Sequence, residues 1–547
     1  MSFSEKVLVI GLDGASLDLI GPWMKEGLLP NLSKFQTDGI VTTLESVIPP
    51  QTASGWSSIA TGKNPGKHGM FGFLKRDPHG YDLIPVSSAD RKSMELWEIL
   101  SNFGKKVGVV DIPLTYPIRK VNGFFISGAL TPYGVDDYCQ PPELLDELNR
   151  NIGEYLPPYT YFLGDEDAFL AKLYAFTENH GDAVKYLIKQ RDWNFFMLVF
   201  YGTDMIQHAF WKYMDSDHTE NNDDKKARYR DAILQYYQKV DSIIGEIIAK
   251  VGDDTTILVL SDHGAERLTK WIHPNVFLMK EGLLCVRRGI REQTKYLLFK
   301  LGLTPLNVVR LAVRLKVLQY AKRMGKAKTR RVLTLFLLSL KDIDWSKSKA
   351  YSFGGWGRIF LNVKGSNPTG IVDQAEYEIV RSQIVQRLRA LTDPETGDKL
   401  CMEVYLKEQL YSGPHLAEAP DIVFRARPGY FPFPDYEFGS NTIVSQIKGW
   451  SAGHSLNGLL MMKGRNVVAH ASVNNASIMD IAPTILAVMG LPVPTDMDGR
   501  VLVEGLSPEL REKVSKSDYN TQVAAEHSYS EDQADELIAT LKGLGYL

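Results

Sequence analysis

"KVLVIGLDG", Lys6 to Gly14, is an apolar run closed by an aspartate and a glycine. From Val7 to Leu12 no polar residue alternates with the apolar ones, so it reads as a strand buried on both faces, the pattern of a parallel sheet covered by helices. Three later stretches repeat it: "KKVGVVDI" (Lys105 to Ile112), "NFFMLVFYG" (Asn194 to Gly202) and "TTILVLS" (Thr255 to Ser261). Helical stretches lie between them. They include "MELWEILSNFG" and "YRDAILQYYQKVDSIIGEIIAKVG", the second with apolar residues at helical spacing and Gly252 as its expected stop. Alternation of strand and helix makes the class α/β.

The residues that follow these strands carry the chemistry. Asp13 follows the first, Asp204 in "GTDMIQH" the third, and Asp262 and His263 in "SDHG" the fourth. Ligands of open α/β sheets bind beyond the carboxyl ends of the strands, so three carboxylates are expected at one site. Taken singly, an aspartate after a strand is a helix cap and a lone histidine is a hydrogen-bonded structural residue. Their joint arrangement argues for more. Asp204 and His208 stand four apart, on one face of a helix. Asp262 and His263 are adjacent at a strand end, and His454 in "SAGHSLNGLLMMKG" precedes another apolar strand. With Asp13 they form an oxygen and nitrogen donor set for two divalent cations, without thiolate, which suits Zn2+ or Mn2+ better than Mg2+ alone. Two ions ~3.5–4 Å apart clamp the attacking and leaving oxygens of an in-line displacement at phosphorus.

Such a site needs a nucleophile, and "VIPPQTASGWSSIATGKNPGKHGMFGF" (Val47 to Phe73) offers Thr52 ahead of a small-residue run. The position reads as a helix cap. A metal-activated threonine hydroxyl there also attacks effectively, and the helix N-terminus holds phosphoryl oxygens.

The 547 residues are 44% hydrophobic, enough for a large core, and the formal net charge of -3 leaves no global polycation, so no nucleic-acid partner is expected. Cys139, Cys285 and Cys401 are far apart with no CxxC, which reads as free thiols in a reducing compartment. The start of the chain is neither a signal peptide nor a membrane span, and no run of about 18 uncharged apolar residues occurs. A cytoplasmic location is expected. Residues 1–283 and 450–547 read as the catalytic core, 284–345 as a basic helical insertion, and 346–449 as a cap region returning to the core. Between Leu284 and Lys341 every charged residue is Lys or Arg except Glu292. Thr304 and Pro305 read as a helix start, followed by "LNVVRLAVRLKVLQYAKRM" and "RVLTLFLLSL". The segment is either a solvated helical cap or a lid that attracts an anionic substrate or makes peripheral contact with a membrane. In the cap region "RIFLNVKG" and "DIVFRARPG" read as strands around a charged helix from about Gln374 to Leu391.

The ordered set of motifs resembles the alkaline phosphatase superfamily, in its type I phosphodiesterase and nucleotide pyrophosphatase branch. The resemblance runs from "VLVIGLDG" to "DMDGRVL" and takes in Asp13, Thr52 nine residues before Thr61 of "TG", "NPGKHGM", the Asp204/His208 pair, "SDHG" and the late "GH". It implies a three-layer αβα sandwich with a mostly parallel central sheet and a helical cap insertion. It further implies that Asp13, Thr52, Asp262 and His263 hold one metal, and that Asp204, His208 and His454 hold the second. The implied cycle hydrolyses phosphate mono- or diesters through a phosphothreonine on Thr52, with His68 and Thr61 structural. Nucleotide pyrophosphatases carry an asparagine three residues after the nucleophile, where this chain has Gly55, so the resemblance does not extend to a nucleotide substrate. "VVDIPLTYP", "GTDMIQHAFWKYMD" and "AYSFGGWGRIFLNVKG" are similar to a microbial group known only as predicted phosphohydrolases or phosphomutases. Phosphorylated small molecules and glycan- or lipid-linked phosphates are the expected substrates. A phosphomutase or a phosphoryl or phosphoethanolamine transferase is the alternative. A sulfatase is disfavoured because "QTASGW" lacks the C/S-x-P-x-R motif, and a non-catalytic binding protein because it has no need of Thr52 beside two metals.

Overall fold

The computed structural model describes residues 3–157, 165–218, 223–308, 335–434, 438–447, 449–523 and 529–543. Nine strands form the main sheet: β1 (Lys6–Leu12), β2 (Gly39–Glu45), β3 (Val107–Ile112), β4 (Gly123–Ser127), β5 (Cys139–Gln140), β6 (Phe195–Phe200), β7 (Thr255–Leu260), β8 (Asn457–Lys463) and β9 (Ala476–Ser477), in the order β9-β2-β8-β7-β1-β6-β3-β4-β5. The run β7-β1-β6-β3-β4 is parallel throughout. β8 runs antiparallel to both β7 and β2, and β5 antiparallel to β4. The four sequence-read strands are β1, β3, β6 and β7, and all are adjacent in the sheet. β3, β6 and β7 are buried along their whole length, so helices cover both faces and the fold is a three-layer αβα sandwich of the alkaline-phosphatase type.

On the helical layers, α2 (Glu166–Gln190), α3 (Gly202–Met214) and α4 (Ala232–Ile248) pack on one another, while α1 (Thr52–Thr61) packs on α5 (Ile481–Val488). α4 ends before the expected stop, with Ala249 as its cap. Gly11 fixes how close α1 comes to β1. A Cβ there would lie 2.4 Å from the Trp56 ring and 2.8 Å from Val199, so only glycine lets the Trp56 indole rest on the strand. That contact sets the N-terminus of α1 near the carboxyl end of β1.

The main core draws on residues from Val7 to Leu260 and from Leu459 to Leu510. A second core joins Ile272, Phe277, Leu284, Phe299, Ile343 and Ile422. The described ends of the basic segment thus share one core with the four-stranded sheet of Ala350–Ser352, Arg358–Leu361, Ile422–Ala426 and Cys401–Leu406. The charged helix occupies Gln374–Arg389. Within the basic segment Ile290–Lys300 is helical, Lys295 is buried against Asp342 at 3.0 Å, and Thr304 accepts a hydrogen bond from the Asn307 N–H at 3.3 Å, as a helix cap does. Residues 309–334, on which most of the further helical reading falls, lie outside the described residues. Among the described residues no helix is long and apolar enough to cross a membrane.

Candidate active site

Three neighbouring strands deliver the acids. Asp13 follows β1, Asp262 and His263 follow β7, and Asp204 sits in the first turn of α3, directly after β6. β1 lies between the other two, so their carboxyl ends face one crevice. α3 carries Asp204 and His208 on one face, with His208 Nε2 3.1 Å from Asp204 Oδ2. His454 stands in the short strand Ala452–Ser455, which pairs with Gly264–Ile272, the strand that continues from His263. The expectation of an apolar strand after His454 is met by β8, but the histidine itself belongs to the pairing that folds the chain back over the site.

Six of these residues form two buried clusters. Asp13, Asp262 and His263 make one, Asp204, His208 and His454 the other, and within each the donor atoms lie within 4.8 Å of one another. His263 Nε2 is 3.4 Å from Asp13 Oδ1 and 3.4 Å from Asp262 Oδ2, and 3.2 Å from the Thr52 hydroxyl. The clusters touch through the imidazoles of His263 and His454, stacked at 3.6 Å. Thr52 is the first residue of α1, with Gln51 at the cap position and no side-chain capping bond. The cap reading of Thr52 is thereby corrected by one residue. Its backbone is already helical, which leaves its hydroxyl pointing out of the helix end and the first-turn N–H groups without partners inside the helix.

The histidines share a hydrogen-bond logic. Nδ1 of His208 faces the Ala452 carbonyl at 2.7 Å, Nδ1 of His454 the Pro50 carbonyl at 3.0 Å, and Nδ1 of His263 the Gly264 carbonyl at 3.0 Å. Carbonyls only accept, so Nδ1 carries the proton in each and the Nε2 lone pair is left for the site. Nε2 of His208 and Nε2 of His454 then face each other at 3.0 Å, two lone pairs that a shared cation reconciles.

Electrostatics point the same way. Burial pushes the Asp13 carboxyl well above its usual range, and the charges of Asp262 and Asp204 push it further. Burial also raises Asp262, against the pull of His263. Burial works to raise Asp204 as well, but His208 and His454 override it and hold its carboxyl far below the usual range. Burial drives His454 well below the normal imidazole range, with His263 adding to the effect. Asp13 Oδ1 and Asp262 Oδ2 are buried without a hydrogen-bond partner. Buried anionic oxygens of this kind are costly unless a cation neutralises them, so the donor set fits divalent metal ions.

Several contributors were not read from the sequence. Trp56, four residues along α1 from Thr52, donates its indole N–H to Asp13 Oδ2 at 2.9 Å, and its helical spacing was the available signal. The Trp450 ring stacks on His208 at 3.7 Å, and the Trp356 ring lies 4.4 Å from His454. Glu266, beyond His263 on the same strand, faces the neighbouring cavity, and burial pushes its carboxyl up to about 7. His68 is buried in a supporting position: its Nε2 meets Ser58 Oγ at 3.0 Å and its Nδ1 accepts from the Met70 N–H at 3.1 Å. Thr61 bonds to the Ser57 carbonyl inside α1.

A family model described as type I phosphodiesterase / nucleotide pyrophosphatase matches residues 7–446. Phosphonoacetate hydrolase from Sinorhizobium meliloti 1021, solved in complex with phosphonoformate, is similar in structure at a TM-score of 0.52 and 15% identity, covering 88% of this chain and 94% of that one. Human ectonucleotide pyrophosphatase / phosphodiesterase 5 is similar at a TM-score of 0.50 and 12% identity, covering 91% and 98%. At these identities the likeness is one of fold. No curated protein matches the sequence. The family match takes in β1, β6, β7, α1 and every residue of the two clusters except His454, and the chain belongs to the type I phosphodiesterase / nucleotide pyrophosphatase family of the alkaline phosphatase superfamily.

Proposed function

We propose that the protein hydrolyses phosphate esters by attack of the Thr52 hydroxyl on phosphorus, with Asp13, Asp262 and His263 holding one divalent cation and Asp204, His208 and His454 a second. The observation that carries this reading is the convergence of three imidazole Nε2 atoms on three buried carboxylates, each imidazole fixed by a main-chain carbonyl. Zn2+ or Mn2+ bound there would acidify the site's hydroxyls and neutralise charge on the phosphoryl oxygens.

The chain's own groups do the rest. α1 presents Thr52 from a rigid, fully buried helix, so the hydroxyl is aimed before substrate arrives. The first-turn N–H groups and the positive end of α1 hold phosphoryl oxygens as charge accumulates on them. Trp56 holds the Asp13 carboxylate in its orientation through the indole N–H. A covalent phosphothreonine divides the displacement into two steps, and water completes the second.

Thr52→Ala tests the reading. The variant is expected to lose at least ~1000-fold in kcat on aryl phosphate mono- or diesters, while metal analysis still finds two ions per chain and the circular dichroism spectrum is unchanged. Near-wild-type turnover by this variant would sink the mechanism.

A further inference from the structure

Trp356 has φ 65°, in the left-handed region, and its neighbours Gly354, Gly355 and Gly357 share that conformation at 69°, 69° and 70°. A left-handed conformation is strained for a tryptophan and persists only where the surroundings enforce it. Here they do. The buried Arg358 donates from Nη2 to the Gly354 carbonyl at 2.7 Å and from Nη1 to the Phe71 carbonyl at 2.8 Å. A Cβ at Gly354 would lie 2.2 Å from Arg358 Nη2, and one at Gly357 would lie 2.1 Å from the Phe424 carbonyl oxygen. "FGGWGR" is thus a built turn with one large side chain to present. It places the Trp356 indole 4.4 Å from the His454 ring and 4.7 Å from Phe431, edge to face.

Beside that indole lies a cavity of 170 Å3. His454, Pro49 and Pro50 line it on the side of the site, and Trp356, Met402 and Phe431 line it beyond. His454 of the second cluster is on its wall, so the cavity adjoins the site. Glu266 and Arg425 are the acid and the base on its wall, and Arg425 is paired with Glu403 at 2.7 Å. The volume is close to the ~150 Å3 that encloses a benzene ring in an apolar cavity. A base joined to a sugar is larger than a benzene ring and would extend out through the open side of the cavity.

We infer that this cavity receives the organic group of the phosphoryl substrate and selects esters whose group is compact, uncharged and apolar, with Trp356 as the residue that sets the selection. The inference rests on the phosphoryl-transfer reading above, because it takes the metal clusters as the place where the phosphoryl group lies. The apolar wall stabilises such a group by removing it from water, and the flat indole limits its thickness. A quaternary ammonium group would meet the aromatic walls but also Arg425, and a nucleoside would extend out of the cavity.

Binding separates this from the catalytic reading. Metal-loaded Thr52→Ala protein, titrated calorimetrically, is expected to bind benzyl phosphate at least tenfold tighter than phosphocholine or thymidine 5′-phosphate. Trp356→Ala on that background is expected to bring the three within about threefold of one another. Met402 is 60% exposed at the rim, and Met402→Trp, which narrows the cavity without touching the core, is expected to weaken benzyl phosphate alone. Equal or tighter binding of phosphocholine or the nucleotide overturns the inference, as does a benzyl preference that survives both substitutions. Failure of wild-type protein to turn over any aryl ester, with the binding order intact, overturns the hydrolase reading and leaves the pocket standing.

Discussion

A side chain at position 55 would press on the site itself, since a Cβ there lies 3.0 Å from Asp262 Cβ and 3.2 Å from Asp262 Oδ2. In sequence Gly55 is simply the place where the asparagine of nucleotide pyrophosphatases is missing. In the structure it is where α1 meets Asp262, proposed above to hold a metal, so its lack of a side chain has a steric cause. Gly55→Ala is expected to move Asp262 by a few tenths of an ångström and lower kcat at least fivefold, with weaker metal retention on dialysis. Unchanged kcat and metal content would show that the contact has slack. The residues of the two clusters were legible, because Asp13, Asp204, Asp262 and His263 follow strand-like runs and His208 is one helical turn from Asp204. The carbonyls of Ala452 and Pro50, and the indole of Trp450, were not. Each acts on a residue more than 200 positions away, and no local pattern encodes such a contact.

At the scale of elements, α3 carries Asp204 and His208 of the second cluster and is held at its far end. Tyr213, near the end of α3, donates to Glu166 Oε1 at 2.6 Å, and Lys225 binds the same carboxylate at 2.7 Å. Partial burial works to raise the Glu166 carboxyl, but Lys225 and Tyr213 prevail and hold it at about 2, below its usual 4.5. A depressed carboxylate stabilises the fold above pH ~4.5 and loses that contribution as pH falls towards 2. Glu166→Gln is therefore expected to melt ~1–2 °C below wild type at pH 6, with the gap narrower at pH 3 and closing only near pH 2, a small effect because the pair is solvent-accessible. Parallel melting curves at both pH values would refute this linkage. The strands β1, β3, β6 and β7 and the helix α4 were readable from periodicity. The antiparallel direction of β8 was not, because an apolar run carries no sign of its orientation.

Over the whole molecule the site is a knot of distant segments, at positions 13, 52, 204–208, 262–263 and 454, that no single unit contains. Cations bound at such a junction stabilise the fold by mass action, about 2.7 kcal/mol for each site at a hundredfold excess over Kd. Protein stripped by chelation is expected to melt several degrees lower than protein with added Zn2+ or Mn2+, and identical melting would argue against both clusters as metal sites. The sequence by itself determined the α/β class, which runs form buried strands and which acids and histidines lie at their ends, because burial periodicity and strand-end chemistry are local. Tertiary structure alone decided that the described ends of the basic segment share one core with the cap, that Gln51 takes the cap position ahead of Thr52, and that a strained tryptophan walls the site. These depend on which distant surfaces fill a given space, and a periodic pattern specifies only that a face is buried, never what buries it.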